Sequence, residues 1–164
     1  MNAALKRIEN RPSRIVITAF AERYLEDAMQ VAREIHAASL YRAFPLDEAK
    51  LANQLQGASN LASDRYFRLA VRADRVLGGF YGCVHRVFFC DELMAKDLGW
   101  WVREDARGSA AAVRLLADFE RWARGKGARK VGLGQTGVGD FQRTAKLFRH
   151  CGYQFTGYNV AKDL

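Results

Sequence analysis

Gly99-Trp100-Trp101-Val102, Arg103-Glu104-Asp105-Ala106 and Arg107-Gly108-Ser109-Ala110-Ala111-Ala112 follow one another without a break. The stretch predicts a strand over Asp97 to Arg103, a bend at Arg107 and Gly108, and a helix over Ser109 to Arg124. Ala112, Leu115, Leu116, Phe119 and Trp122 recur at helical spacing and face inward, and Gly125 and Gly127 supply the stop. A helix's first turn carries N–H groups without intrahelical acceptors, together with the positive end of the dipole. The small residues of 108 to 112 let an anion approach those amides, and a pyrophosphate suits such a turn. A capped structural helix with a small first turn is the competing reading.

Toward the N-terminus the long run Val76 to Phe89 is β-branched and aromatic, with glycines at 78, 79 and 82, and reads as a bent strand. Asp91-Glu92 turns it into the next strand, and Asp74-Arg75 is a tight turn after a strand over Tyr66 to Ala73. Gly57 to Asp64 is a loop. Pro45 opens a helix that runs to about Gln56, since its missing N–H is not needed there. Ser39 to Phe44 is irregular, Glu22 to His36 is an amphipathic helix, and Ile15 to Thr18 is a first strand. Toward the C-terminus come a strand over Lys130 to Leu133, a helix over Phe141 to His150, and one or two closing strands within Tyr153 to Lys162. The order β-α-α-β-β-β-α-β-α-β predicts an α/β fold, its mixed central sheet covered by helices on both faces.

The 164 residues suit one domain, 1–164, with a core over about 15–163. An apolar content of 49% beside 27% charge argues against disorder. No apolar run reaches a membrane span, so no membrane partner is expected. The charged segment Met1 to Asn10 is no signal sequence. Cys83, Cys90 and Cys151 are odd in number and scattered, which points to a reducing, cytoplasmic setting without disulfides. The net charge of +8 attracts anions, but no basic block or nucleic-acid motif accompanies it, so nucleic acid is not expected as the main partner. A homodimer is compatible with the sequence.

The segment from Val102 to Ala112 resembles the cofactor-binding motif of the GNAT acetyltransferase family, Arg/Gln-x-x-Gly-x-Gly/Ala, set five residues after a strand valine. Val102 holds the valine position, Arg107-Gly108 match its frequent Arg-Gly start, and Ala112 matches the last position. Ala110 stands where the first glycine is usual, and its methyl narrows the approach that the Ser109 hydroxyl could partly restore. Trp122-Ala123 with Gly127 to Val131 looks like the family's helix-to-strand passage, and Leu147 to Tyr153 like its last helix. The resemblance spans about residues 15 to 163 and is most specific from 98 to 155.

The resemblance implies acetyl-CoA as cosubstrate, and a mostly antiparallel sheet whose one parallel pair splays apart to admit it. The strands near Gly99–Val102 and Lys130–Leu133 would be that pair, with Trp101 and Val102 offering backbone groups to the pantetheine arm and residues 107–112 holding the pyrophosphate. An amine, on a protein lysine, a protein N-terminus or a small molecule, would attack the thioester directly. Asp97 lies near the family's usual base position, although it also reads as the solvated end of a hairpin. His85 could serve as a base or as a hydrogen-bonded core histidine. Glu104 reads as a solvated turn residue. The family's usual proton-donating Tyr is Phe148 here, which leaves Tyr153 or Tyr158, or departure as thiolate. Its usual pantetheine-binding Asn is Phe141, with Gln142 adjacent. Leu40 to Phe44 would form part of the acceptor mouth. The two Phe departures leave a second reading open, a non-catalytic protein-binding module on the same scaffold.

Gly132-Leu133-Gly134-Gln135-Thr136-Gly137 spells a dinucleotide fingerprint, but too little chain follows to complete such a domain. His150 and Cys151 point about 100° apart on a helix, and Cys83 with His85 lacks further ligands, so no metal is expected.

Overall fold

The computed structural model describes residues 14–60, 63–134, 140–157 and 162. Among these residues five strands, β1 (Val16–Ala19), β2 (Arg65–Arg72), β3 (Arg75–Arg86), β4 (Leu93–Val102) and β5 (Ala128–Gly132), lie in that order across one sheet. Neighbours run antiparallel except β4 and β5, which are parallel. Four helices accompany them: α1 (Leu25–Ala38), α2 (Glu48–Ala58), α3 (Ala111–Gly125) and α4 (Phe141–His150). None is long and apolar enough to cross a membrane.

Period-two alternation sends side chains of β2 and β3 to opposite faces. Tyr66, Ala70, Phe80 and Val84 pack with Leu115, Leu116, Phe119 and Trp122 of α3. Phe119 stacks on Phe80, with ring centroids 4.3 Å apart. On the other face Phe67, Leu69, Val71 and Val76 pack with Tyr24, Ala28 and Leu55. The expected mixed sheet with helices on both faces is therefore present. Gly79 serves this packing by having no side chain, because a Cβ there would sit 2.5 Å from the Trp101 indole.

Several boundaries differ from the sequence reading. Pro45 does not open α2. Asp47 caps it, accepting from the Lys50 N–H at 2.9 Å, because a carboxylate satisfies an orphan amide that a proline only omits. The helix then runs on through Gly57 and Ala58. The β2–β3 turn centres on Ala73 and Asp74, with φ of 48° and 60°, one residue earlier than expected. A two-residue hairpin of type I′ demands positive φ at both centres, and pairing across the sheet imposes it even on an alanine. β3 ends at Arg86, which leaves Phe88 and Phe89 exposed in the turn. β4 starts at Leu93 because Ala95 is wholly buried opposite Val84. Asp97 is consequently inside a strand rather than at a hairpin end. Helix α3 begins at Ala111, with Gly108 to Ala110 forming the turn before it. Tyr153 to Gly157 are not in a strand, and the rest of the expected closing strands, Tyr158 included, lies almost wholly outside the described residues.

Candidate functional site

β4 and β5 pair only over Leu93↔Ala128, Met94↔Lys130, Ala95↔Val131 and Lys96↔Gly132. Beyond Lys96 the two strands part. At that point the Asp97 carboxylate accepts the Gly134 N–H at 2.8 Å. From Gly99 to Val102, β4 keeps its β3 partner but has no strand on the β5 side among the described residues.

Hydrogen-bond parity decides which backbone groups face that gap. The Arg103 N–H donates to the Leu77 carbonyl at 2.8 Å, so Leu77–Arg103 is a bonded pair, and Gly79–Trp101 is the next. Trp100 and Val102 thus turn their amides to the open edge. Trp101, expected to share that task with Val102, turns its backbone to β3. Its indole stacks on Phe67, with centroids 6.0 Å apart, on the α1 and α2 face.

The end of β4 is anchored firmly. Arg103 forms an ion pair with Asp27 of α1, and Asp27 also accepts the Val76 N–H at 2.8 Å. The chain then makes a short helical turn, Glu104–Ala106, and reaches Gly108 at φ 89°. That conformation disfavours any side chain. Within the turn the Arg107 N–H donates to the Glu104 carbonyl at 3.2 Å and the Ser109 N–H to the Ala106 carbonyl at 3.1 Å. The Ser109 hydroxyl accepts the Ala111 N–H at 3.3 Å. The amides of Gly108, Ala110 and Ala112 have no protein acceptor among the described residues. Ala110 is the N-cap, with no capping side chain, and no acidic residue occupies the first turn of α3. Arg107 is exposed, its nearest carboxylate being Glu104 at 3.9 Å. Of residues 107–112, expected to grip a pyrophosphate, alternate amides are thus left free to meet a ligand, while the Ser109 hydroxyl takes the Ala111 N–H.

Arg143 of α4 reaches the same turn. A Cβ on Gly108 would lie 3.2 Å from its Nη2. Motif matching passes over Arg143, because its sequence distance from the turn hides the contact. Gln142, beside it, is exposed.

The candidate acid–base groups separate. Asp97 follows Ala95 on the α3 face, whereas His85 alternates with Val84 and lies on the α1 and α2 face. Burial pushes the Asp97 carboxyl above its ordinary range, and the Gly134 N–H opposes part of that rise. The Nδ1 of His85 is buried without a hydrogen-bond partner among the described residues. Tyr153 donates its hydroxyl to Glu120 of α3 at 2.7 Å. Burial and that carboxylate push the phenol upward, so Tyr153 holds its proton tightly. Phe148 fills the space between Trp100 and Tyr153, with centroids 5.6 Å and 5.9 Å away. Leu40, Tyr41 and Phe44 are exposed in the short helical connection between α1 and α2. Among the described residues no group of three His, Cys, Asp or Glu side chains could hold a metal ion.

The matching family model, Acetyltransferase (GNAT) family, covers residues 21–153. No curated protein matches the sequence significantly. Among solved structures, a Trypanosoma brucei acetyltransferase is similar at 17% identity and TM-score 0.69, over 92% of this chain and 100% of that one. The aminoglycoside acetyltransferase AAC(6')-Iy, solved with a bisubstrate analog of CoA and acetylneamine, is similar at 18% identity and TM-score 0.69, over 93% and 99%. A GNAT family acetyltransferase from Staphylococcus aureus is similar at 19% identity and TM-score 0.61, over 92% and 98%. With a strand pair parted at Lys96, an uncapped helix behind the Arg107 turn and a family model over most of its length, this chain belongs to the GNAT acetyltransferase family.

Proposed function

We propose that this chain is an acetyl-CoA-dependent N-acetyltransferase acting on an amine of a protein or a small molecule, working in the cytoplasm as one domain. One observation carries the reading: acceptor-free amides open α3 beside the unpaired edge of β4. Together they suit a ligand with a polyphosphate end and an amide-bearing arm. Gly108, Ala110 and Ala112 would hold the phosphates with Arg107, and Trp100 and Val102 would meet the arm. Acetyl-CoA supplies an activated acetyl thioester. Asp97, where the strands part, takes the amine's proton, and its raised basicity suits a base working near neutral pH. His85 lies on the opposite face, where it can serve the acceptor side. Tyr153 keeps its proton and donates it in a hydrogen bond to Glu120, so the thiol leaves as thiolate or takes its proton from water. The exposed residues Leu40 to Phe44 give the acceptor an apolar wall.

Calorimetry with acetyl-CoA and desulfo-CoA tests the cofactor, and thiol release across an amine panel tests the chemistry. We expect binding of both and turnover with some amines. Failure of both ligands to bind would exclude the reading. Phe148, with no hydroxyl at the position where the family commonly has one, favours a second reading, a non-catalytic module that still binds CoA. Tight binding without thiol release would support it.

A further inference from the structure

We infer that Arg143 is a second jaw of the phosphate site, closing from α4 on the pyrophosphate that the α3 turn receives; the inference rests on the acetyl-CoA reading above. The first support is contact. The guanidinium lies against the bare backbone of Gly108, with Nη2 3.2 Å from where a Cβ would stand. A side chain at 108 would be strained at φ 89° and would press this nitrogen aside by a few tenths of an ångström.

The second support is how the arm is held. Asp140 caps α4 by accepting the backbone N–H of Arg143 at 3.0 Å. Phe148, farther along the helix, leans on Trp100 at 5.6 Å. The helix is thus pinned at both ends while the Arg143 side chain extends to the turn.

The third support is charge. Arg143 has no carboxylate partner among the described residues, and Arg107 has one only at 3.9 Å. Helix α4 contains no Asp or Glu. The Arg143 guanidinium therefore meets the turn at the positive end of α3, which has no acid in its first turn, and Arg107 belongs to that same turn. Without a ligand this gathering of like charge is unfavourable, and a bound dianion reverses its sign. A guanidinium fork matches phosphate oxygens in a way that no other side chain does.

The test is calorimetry of wild type, Arg143→Gln and Arg143→Lys with acetyl-CoA and with S-acetylpantetheine, which has no phosphate. Arg143 is exposed, so both variants should melt with wild type. Arg143→Gln should weaken acetyl-CoA by about tenfold and leave S-acetylpantetheine unchanged, with Arg143→Lys between the two. A loss of less than about threefold, or an equal loss for both ligands, overturns the role of Arg143. Wild type that binds neither ligand overturns the cofactor reading and this inference with it. Wild type that binds acetyl-CoA beside an indifferent Arg143→Gln overturns this inference alone.

Discussion

Asp97 shows how one side chain's chemistry depends on the exact place where two strands separate. Its carboxylate is mostly removed from water, and the amides of Gly134 and of Asp97 itself, with the charge of Lys96, offset only part of that cost, so the charged form is disfavoured in the fold. A carboxyl whose pKa is higher folded than unfolded costs no stability below its unfolded pKa. The cost appears as pH rises through the window up to the folded value, and it is constant above that. Asn keeps an oxygen for the Gly134 N–H and carries no charge. Asp97→Asn should therefore melt higher than wild type at pH 7 to 8, with the gain fading below the window, while kcat/KM falls and the acidic limb of the pH–rate profile changes. An unaltered pH–rate profile would dismiss Asp97 as the base. The sequence marked Asp97 but could not choose between a solvated hairpin end and a strand interior, because the choice rests on where β4 begins to pair. It marked Tyr153 also, yet only packing shows that its hydroxyl is engaged in a hydrogen bond to Glu120.

At the scale of elements, α3 does two jobs whose residues lie on different parts of one helix. Its first turn is small, uncapped and free of acid, and the rest is a hydrophobic face against the sheet. The face holds the turn in place. Phe119 is wholly buried, stacks on Phe80 at 4.3 Å and on Trp122 at 5.6 Å, and covers Gly82. Phe119→Ala should cost about 3–5 kcal/mol in chemical denaturation, the range for truncating a buried aromatic ring. A cost below about 1 kcal/mol would mean that the core can collapse around the gap. Helical spacing made this face legible in the sequence. The exact start of the helix was not, because Ser109, Ala110 and Ala111 are all compatible with a first turn. Hydrogen bonds decide it: the Ser109 amide is already engaged by Ala106.

Across the whole molecule, a net charge of +8 sets a field that favours polyanions before any contact is made. Binding of acetyl-CoA should weaken several-fold as salt rises from about 0.05 to 0.5 M, because screening shortens the reach of that field. S-Acetylpantetheine should show no such slope, and an equal slope for both ligands would remove the electrostatic account. Periodicity and turn chemistry were enough to read the element order from β1 to α4, the two covered faces and the small-residue start of α3. They could do so because those features depend on residues close together in the chain. The sequence alone did not determine where β4 and β5 part, that Trp100 rather than Trp101 faces the gap, or that Arg143 meets Gly108. Each of these is a relation between distant segments. It is set by strand register, hydrogen-bond parity and helix docking, which exist only once the chain has packed.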